Sequence, residues 1–283
     1  MSSNQAVKWV RRLLRPRRWL RNAILYFAHA DGFRNKGKLI HYSMIHLLRK
    51  IGLQIPTASD WTIRLKGLEI HFDPNLAELI TYREIFVSRV YQRLPEFRPT
   101  GTAVVFDVGA NIGFYTLQVA GSLAGGTIYA FEPNPDAYSK LMRNVEANRV
   151  GNVDIHLLPY AVGSKQGRVW LQRAERTGLG RVEESAAKKG ESRVEVEMVT
   201  LDGMVEKHSV TRIDLMKIDV EGHEEAVLAG GERALGMTRR IVMEYHGPEI
   251  LDRVRKFLSD RGFKEVLEYR GHAYFVNTRP VGA

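Results

Sequence analysis

Cysteine is absent from the 283 residues, which excludes disulfides, thiolate zinc sites and a cysteine nucleophile. Long apolar runs are missing as well. No stretch approaches the ~20 residues of a membrane-spanning helix. The apolar segment Ala23 to Ala28 is shorter than the ~7–15 residue core of a secretory signal. The expected protein is therefore soluble or peripheral. Acidic residues are missing from everything ahead of Asp31, where Lys8, Arg11, Arg12, Arg15, Arg17, Arg18 and Arg21 stand among Trp9, Leu13, Leu14, Trp19, Leu20 and Phe27.

What is present is a basic balance confined to one end. The formal net charge is +10, but residues 1–100 hold 18 Lys+Arg against 7 Asp+Glu, and the remainder holds 24 against 25. Nucleic acid, an anionic membrane surface and an acidic substrate are all compatible with such a region. Cations interleaved with tryptophans suit a lipid headgroup layer. A solvated helical arm, or an element packed on the main domain, is the competing reading. The expected location is cytoplasmic, with peripheral attachment to the inner face of the membrane.

Patterning divides the chain near Pro99. Residues 1–99 read as a basic, mainly helical region with one short hairpin. Its helices run over Leu39 to Ile51 and Leu76 to Leu94, and the hairpin spans Trp61 to Phe72. Residues 100–283 alternate between strands and helices. Strands are predicted at Ala103 to Phe106, Thr127 to Phe131, Val153 to Leu158, Ile213 to Ile218, Ile241 to Tyr245 and Phe263 to Glu268. Helices are predicted from Phe114, Pro135, Glu224 and Glu249. Such alternation specifies an α/β, doubly wound sheet. The tight turn Tyr269-Arg270-Gly271 makes the last strand, His272 to Val276, antiparallel. Val169 to Leu171 and Val194 to Val199 form a side hairpin, joined by a Gly-, Glu- and Lys-rich stretch, Thr177 to Ser192, predicted to be mobile.

The chemistry is concentrated at predicted strand ends. In VVFDVGANIGFYTL a strand gives way to a helix through Asp107, Gly109, Ala110, Asn111 and Gly113. Gly109 permits a sharp turn, and Gly113 a close approach of ligand or helix. Asn111 stands where a pyrophosphate loop would carry glycine, and the Asp107 carboxylate repels phosphate while suiting a cationic ligand that bears an amino group. Nineteen residues after Gly113, Glu132 ends the second strand, where a carboxylate accepts both ribose hydroxyls. NAD fits this combination less well. A second group, Ile213 to Glu225, gathers Asp219, Glu221 and Glu224 with Lys217 and His223. It reads either as an oxygen site for a divalent cation or as a helix start with favourable acids. The favoured reading places Asp219 at the cofactor or acceptor with no tightly bound metal. The third is IVMEYH: Glu244 and His246 fall two apart on one side of an extended strand. His246 is a candidate general base, or a structural hydrogen-bonder.

Together, FDVGANIGFYTL, YAFEPNPDAYSKLMRNVEAN, LPYAVGS, VTLDG, IDLMKIDVEGHEEAVLAGG and IVMEYH resemble the FkbM family of S-adenosylmethionine-dependent methyltransferases, from about Leu79 onward. The resemblance implies a Rossmann-like, seven-stranded methyltransferase sheet with a reversed last strand. Asp107, Gly109, Ala110, Asn111 and Gly113 would hold the methionine part of S-adenosyl-L-methionine and Glu132 its ribose. Tyr160, Ala161 and Val162 would border the adenine, and Asp219 the sulfonium. The basic N-terminus lies outside the family pattern. The implied activity is O-methylation of a sugar, glycan, glycolipid or secondary metabolite, with His246, Asp219 and Glu244 as the catalytic candidates. Methylation of a carboxyl, an amino group or a nucleic acid is the alternative, as is an inactive membrane-associated scaffold.

Overall fold

The computed structural model describes residues 24, 26–50, 53, 61–72, 76–148, 151–172, 181–183 and 193–279. The basic segment ahead of Ile24 and most of the stretch 177–192 lie outside the described residues. Contacts divide the chain into two compact units, Met1–Glu78 and Leu79–Ala283. Residues 79–99, read from the sequence with the basic region, thus fall in the second unit.

In the first unit, helix α1 (Gly32–Lys50) precedes the hairpin of β1 (Trp61–Leu65) and β2 (Leu68–Phe72). Lys66 and Gly67 both carry positive φ, 49° and 81°, as a two-residue hairpin turn requires. The Asp31 carboxylate accepts the Gly67 N–H at 2.6 Å. Strand alternation turns Ile63, Leu65, Ile70 and Phe72 inward, and Tyr42 of α1 meets Trp61 and Phe72 edge-on.

The single helix expected over Leu76 to Leu94 does not form. Helix α2 (Leu76–Tyr82) widens into a π-helical turn, Arg83–Ser88, and the chain breaks at Arg89 with φ 48°. Packing accounts for the change. The wider turn buries Ile85 and stacks Phe86 on Tyr82, with both rings against Phe114. The break leads directly to Tyr91, which is buried.

The rest of the second unit is a Rossmann-like α/β fold. Its elements are β3 (Gly101–Val108), α3 (Phe114–Ala120), β4 (Leu123–Phe131), α4 (Pro135–Ala147), β5 (Val153–Leu158), β6 (Ala161–Val162), β7 (Gly167–Gln172), β8 (Arg181–Glu183), β9 (Arg193–Val199), α5 (Leu201–Lys207), β10 (Leu215–Ile218), α6 (Glu224–Ala229), α7 (Glu232–Gly236), β11 (Arg240–Glu244), α8 (Pro248–Asp260), β12 (Phe263–Tyr269) and β13 (His272–Asn277). Seven strands lie in the order β12-β13-β11-β10-β3-β4-β5. Neighbours are parallel except at β13, which runs against both β11 and β12. The central strands are buried on both faces, with Phe106, Val108, Met216, Ile218, Ile241 and Met243 in one core, as covered parallel sheets require.

The side hairpin seen in the sequence belongs to a four-stranded sheet, ordered β6-β9-β7-β8. Ala161, Val169, Leu171, Val196 and Met198 give it a small core of its own. Strands β6 and β8, of two and three residues, are too short to leave a periodic signal. Position is what matters here: β6 follows β5 directly and so brings Ala161 and Val162 to the carboxyl edge of the main sheet.

Candidate active site

The carboxyl ends of β3, β4 and β10 frame a cleft of about 650 Å³, lined by Gly109, Asn111, Glu132, Asn134, Tyr160, Ala161, Val162, Leu171, Asp219 and Glu221 among others. This is where ligands sit in open α/β sheets.

Its floor is the turn after β3. The N–H groups of Gly109 and Ala110 both donate to the Phe131 carbonyl, at 3.0 and 2.8 Å, tying the turn to the end of β4. Gly109 has φ 83°, and a Cβ there would lie 1.8 Å from the Asp219 carbonyl oxygen, so no other residue fits between β3 and β10. Asn111 adopts φ 52°, a conformation asparagine tolerates better than most residues.

Several residues of the turn face away from the cleft. Gly113, at φ 90°, admits α4: a Cβ would lie 2.6 Å from Leu141 Cδ1. Ala110 packs with Ala130 and Leu141. Asp107 is fully buried and already paired. Thr116 Oγ1 donates to its Oδ2 at 2.6 Å, and Lys217 Nζ lies 3.2 Å from its Oδ1. Neither Asp107, Ala110 nor Gly113 lines the cleft. The amino-group partner expected of Asp107 is thus supplied by the chain itself, because register sets Lys217 beside Asp107 on adjacent parallel strands.

Lys217 is the hinge of the electrostatics. Its ammonium donates to the Gly109 carbonyl at 2.6 Å and reaches Asp219 Oδ2 at 3.6 Å. Burial alone would lower its pKa, but Asp107 and Asp219 overcome that and raise it. A charged residue inside the apolar strand Leu215–Ile218 needs such partners, and that mismatch was a usable sequence signal.

Glu132 lines the cleft from the end of β4. Asn111 N–H donates to its Oε2 and Asn134 N–H to its Oε1, both at 2.8 Å. Burial pushes its pKa up to about 7 against the pull of those two donors. Each carboxylate oxygen keeps a lone pair for a further donor.

Beyond Asp219 the carboxylates form two groups. In the first, the buried Tyr91 hydroxyl lies 2.9 Å from Asp219 Oδ2 and 3.1 Å from Glu244 Oε2. His272 Nε2 stands 3.6 Å from the same Glu244 oxygen. Burial, with Asp219 next, pushes Glu244 up to about 7. In the second, His246 Nδ1 meets Glu224 Oε1 at 2.7 Å and Nε2 meets Glu221 Oε2 at 3.2 Å. The Glu224 bond, with Glu221 beside it, pushes His246 up to about 9 although burial opposes this.

Glu244 and His246 were expected to border one pocket together. The strand instead ends at Glu244, and neither side chain lines the cleft: Glu244 meets Tyr91, and His246 meets Glu221 and Glu224. His246 holds a proton near neutral pH with both nitrogens engaged, which is the wrong state for a general base. Among the described residues, ligand atoms of Asp219, Glu221 and His246 lie within 4.8 Å of one another. The contacts of His246 with Glu221 and Glu224 close that group on its own charges. Tyr91 and His272 were not singled out from the sequence. Neither has a neighbouring motif, and their contacts with Asp219 and Glu244 span the chain.

Residues 107–265 match the profile of the methyltransferase FkbM domain, more than half of the chain. The chain belongs to the FkbM methyltransferase family. It is 33% identical over 218 residues to 31-O-demethyl-FK506 methyltransferase FkbM of Streptomyces tacrolimicus, covering 66% of this chain and 82% of that protein. It is 31% identical over 157 residues to the hexuronic acid methyltransferase AglP of Haloferax volcanii, covering 56% and 62%. A crystal structure of a methyltransferase FkbM from Methylobacillus flagellatus KT aligns with 92% of this chain and 59% of that one, at 13% identity and a TM-score of 0.46. As an FkbM-family enzyme the protein is an S-adenosylmethionine-dependent methyltransferase. The cleft suits that cofactor: Glu132 keeps lone pairs for ribose hydroxyls, and Gly109 leaves the floor clear of any side chain.

Proposed function

We propose that the protein is an O-methyltransferase acting on a hydroxyl of a sugar, glycan, glycolipid or secondary metabolite. One observation carries this reading: Asp219 lines the cleft and is also bound to Tyr91 and Lys217. A carboxylate so placed and held can accept the proton of an alkyl hydroxyl, which is a poor nucleophile until that proton leaves. S-adenosylmethionine, when bound, supplies a methyl group on a sulfonium that departs readily as a thioether. The residues of this chain do the rest. Glu132 fixes the ribose, Tyr160, Ala161 and Val162 border the base, and Asp219 meets the acceptor, so that alignment contributes most of the acceleration. The names of the relatives, one an O-demethyl substrate and one a hexuronic acid, support a hydroxylated acceptor. Calorimetric titration with S-adenosylmethionine tests the cofactor half; unchanged affinity in Glu132→Ala would sink it. For the acceptor half, a panel of uronic acids, glycolipids and macrolides is incubated with the cofactor and searched by mass for one added methyl. Labelling only of amines or nucleic acid would refute it.

A second observation supports docking on an anionic bilayer. Helix α1 contains no acidic residue but carries Arg34, Lys36, Lys38, Arg49 and Lys50. Phe33, Ile40 and Met44, at 93%, 53% and 58% exposure, follow helical spacing along one side. Cations beside an exposed apolar ridge are the pattern of an interfacial helix. No helix among the described residues is long and apolar enough to cross a membrane, so attachment would be peripheral.

A further inference from the structure

A tyrosine hydroxyl has one hydrogen, yet Tyr91 lies within hydrogen-bond distance of two carboxylates, Asp219 at 2.9 Å and Glu244 at 3.1 Å. It can donate to only one of them. The other contact is attractive only if that carboxyl brings a proton of its own. Two observations decide which carboxyl does so. Lys217 Nζ stands 3.6 Å from Asp219 Oδ2, so a cation already faces that carboxyl. Glu244 Oε2 faces His272 Nε2 at 3.6 Å. The other nitrogen of that ring, Nδ1, lies 3.0 Å from the Arg270 carbonyl and so carries the ring hydrogen. Burial lowers the His272 pKa and keeps the ring neutral. Its Nε2 therefore presents a lone pair, with no hydrogen-bond partner among the described residues. Glu244 Oε2 thus sits between two acceptors, the Tyr91 oxygen and His272 Nε2.

We propose that Tyr91 is a positioning residue whose hydroxyl donates to Asp219 and accepts from a protonated Glu244, leaving Asp219 as the carboxylate turned to the acceptor. The proposal rests on the reading of Asp219 as the acceptor-side group. With Glu244 protonated, the single Tyr91 hydrogen is committed to Asp219. A proton leaving an acceptor hydroxyl then goes to Asp219, and Glu244 is not its destination. The charged groups facing the pair are Lys217 on β10, Glu84 and His246 near Glu244, and Arg270 toward Glu84. Glu84 opposes a second negative charge at Glu244. Lys217 also lies over the Tyr91 ring, 5.4 Å from its centroid. Tyr91 and His272 both fall outside residues 107–265, the stretch that matches the family profile.

Carbon-13 labelling of glutamate carboxyls in the full-length protein, with no added ligand, reads the proton by magnetic resonance. Glu244 is assigned by the signal missing from Glu244→Gln. Its carboxyl should titrate near pH 7. In Tyr91→Phe the midpoint should fall by about one unit, because an acceptor of the Glu244 proton has gone. His272→Phe removes the Nε2 lone pair that faces Glu244 Oε2 and disfavours its ionised form, and should lower the midpoint in the same direction. A midpoint that rises in Tyr91→Phe shows Tyr91 donating to an ionised Glu244 and overturns the proposal. So does a wild-type Glu244 already ionised at about pH 5, a result available even if a variant fails to fold. Cofactor titration of the same samples reports separately: its failure counts against the proposed function, while the carboxyl midpoints still decide the proton.

Discussion

Glu132 accepts N–H groups from Asn111 and Asn134 on its two oxygens, yet burial lifts it from 4.5 to about 7. Between those values the folded state binds the extra proton. The resulting stabilisation is complete below pH 4.5 and is lost as pH rises through about 7. In the proposed role of Glu132 the ribose hydroxyls need the ionised form as their acceptor, so affinity for S-adenosylmethionine should rise with pH through about 7. Calorimetry at several pH values checks this. Glu132→Ala should abolish the rise and weaken binding by about tenfold or more. His246 shifts in the same sense, from 6.5 to about 9. Its contribution is full below pH 6.5 and disappears as pH rises through about 9. The stability lost in His246→Ala, measured by urea unfolding, should therefore be larger at about pH 6 than at about pH 10. The position of Glu132 at the tip of β4, facing the cleft, was legible in the sequence because strand and spacing specify it together. His246 was visible as a residue, but not in its role. No local pattern tells that Glu221 and Glu224, on another segment, take both nitrogens.

Among the elements, the motif VTLDG has a capping role. Thr200 Oγ1 accepts from Gly203 N–H at 3.0 Å and starts α5. Asp202 then accepts the N–H groups of Arg233 and Ala234, at 3.1 and 2.8 Å, at the first turn of α7. Asp202→Ala should cost about 1 kcal/mol of stability by denaturant midpoint, while cofactor affinity stays at the wild-type value. The elements themselves were legible to different degrees. Strand β5 has the bounds the sequence predicted, Val153–Leu158. Strand β4 reaches back to Leu123, through glycines that carry no strand signal. Apolar spacing over Leu76 to Leu94 was a fair helix pattern. It failed because Tyr82, Phe86 and Phe114 pack best around a widened turn, a tertiary preference that overrides periodicity.

At the scale of the whole molecule, composition separated a basic end from a charge-balanced remainder, and the two roles proposed above follow the same division. If α1 docks on an anionic bilayer, full-length protein should float with phosphatidylserine vesicles. Phe33→Glu combined with Ile40→Glu and Met44→Glu should leave it at the bottom of the gradient. Raised salt should weaken recovery by screening the cations. Equal recovery of both proteins would remove the membrane from the account. What composition did not reveal was how the catalytic half is assembled, because its key contacts pair residues 128 and 153 positions apart.

Strand β13 is the last of the described strands but not at the edge of the sheet, since it lies between β11 and β12. During synthesis, β11 must wait with an open edge until residues 272–277 emerge. Tyr91, made long before, finds His272 and the Tyr274 hydroxyl that bonds to the Val90 carbonyl only at that moment. The cleft at the ends of β3, β4 and β10 has none of β13 in its walls. A nascent chain therefore completes that cleft before Tyr91 meets His272, and ribosome-bound intermediates arrested before His272 should be the aggregation-prone species.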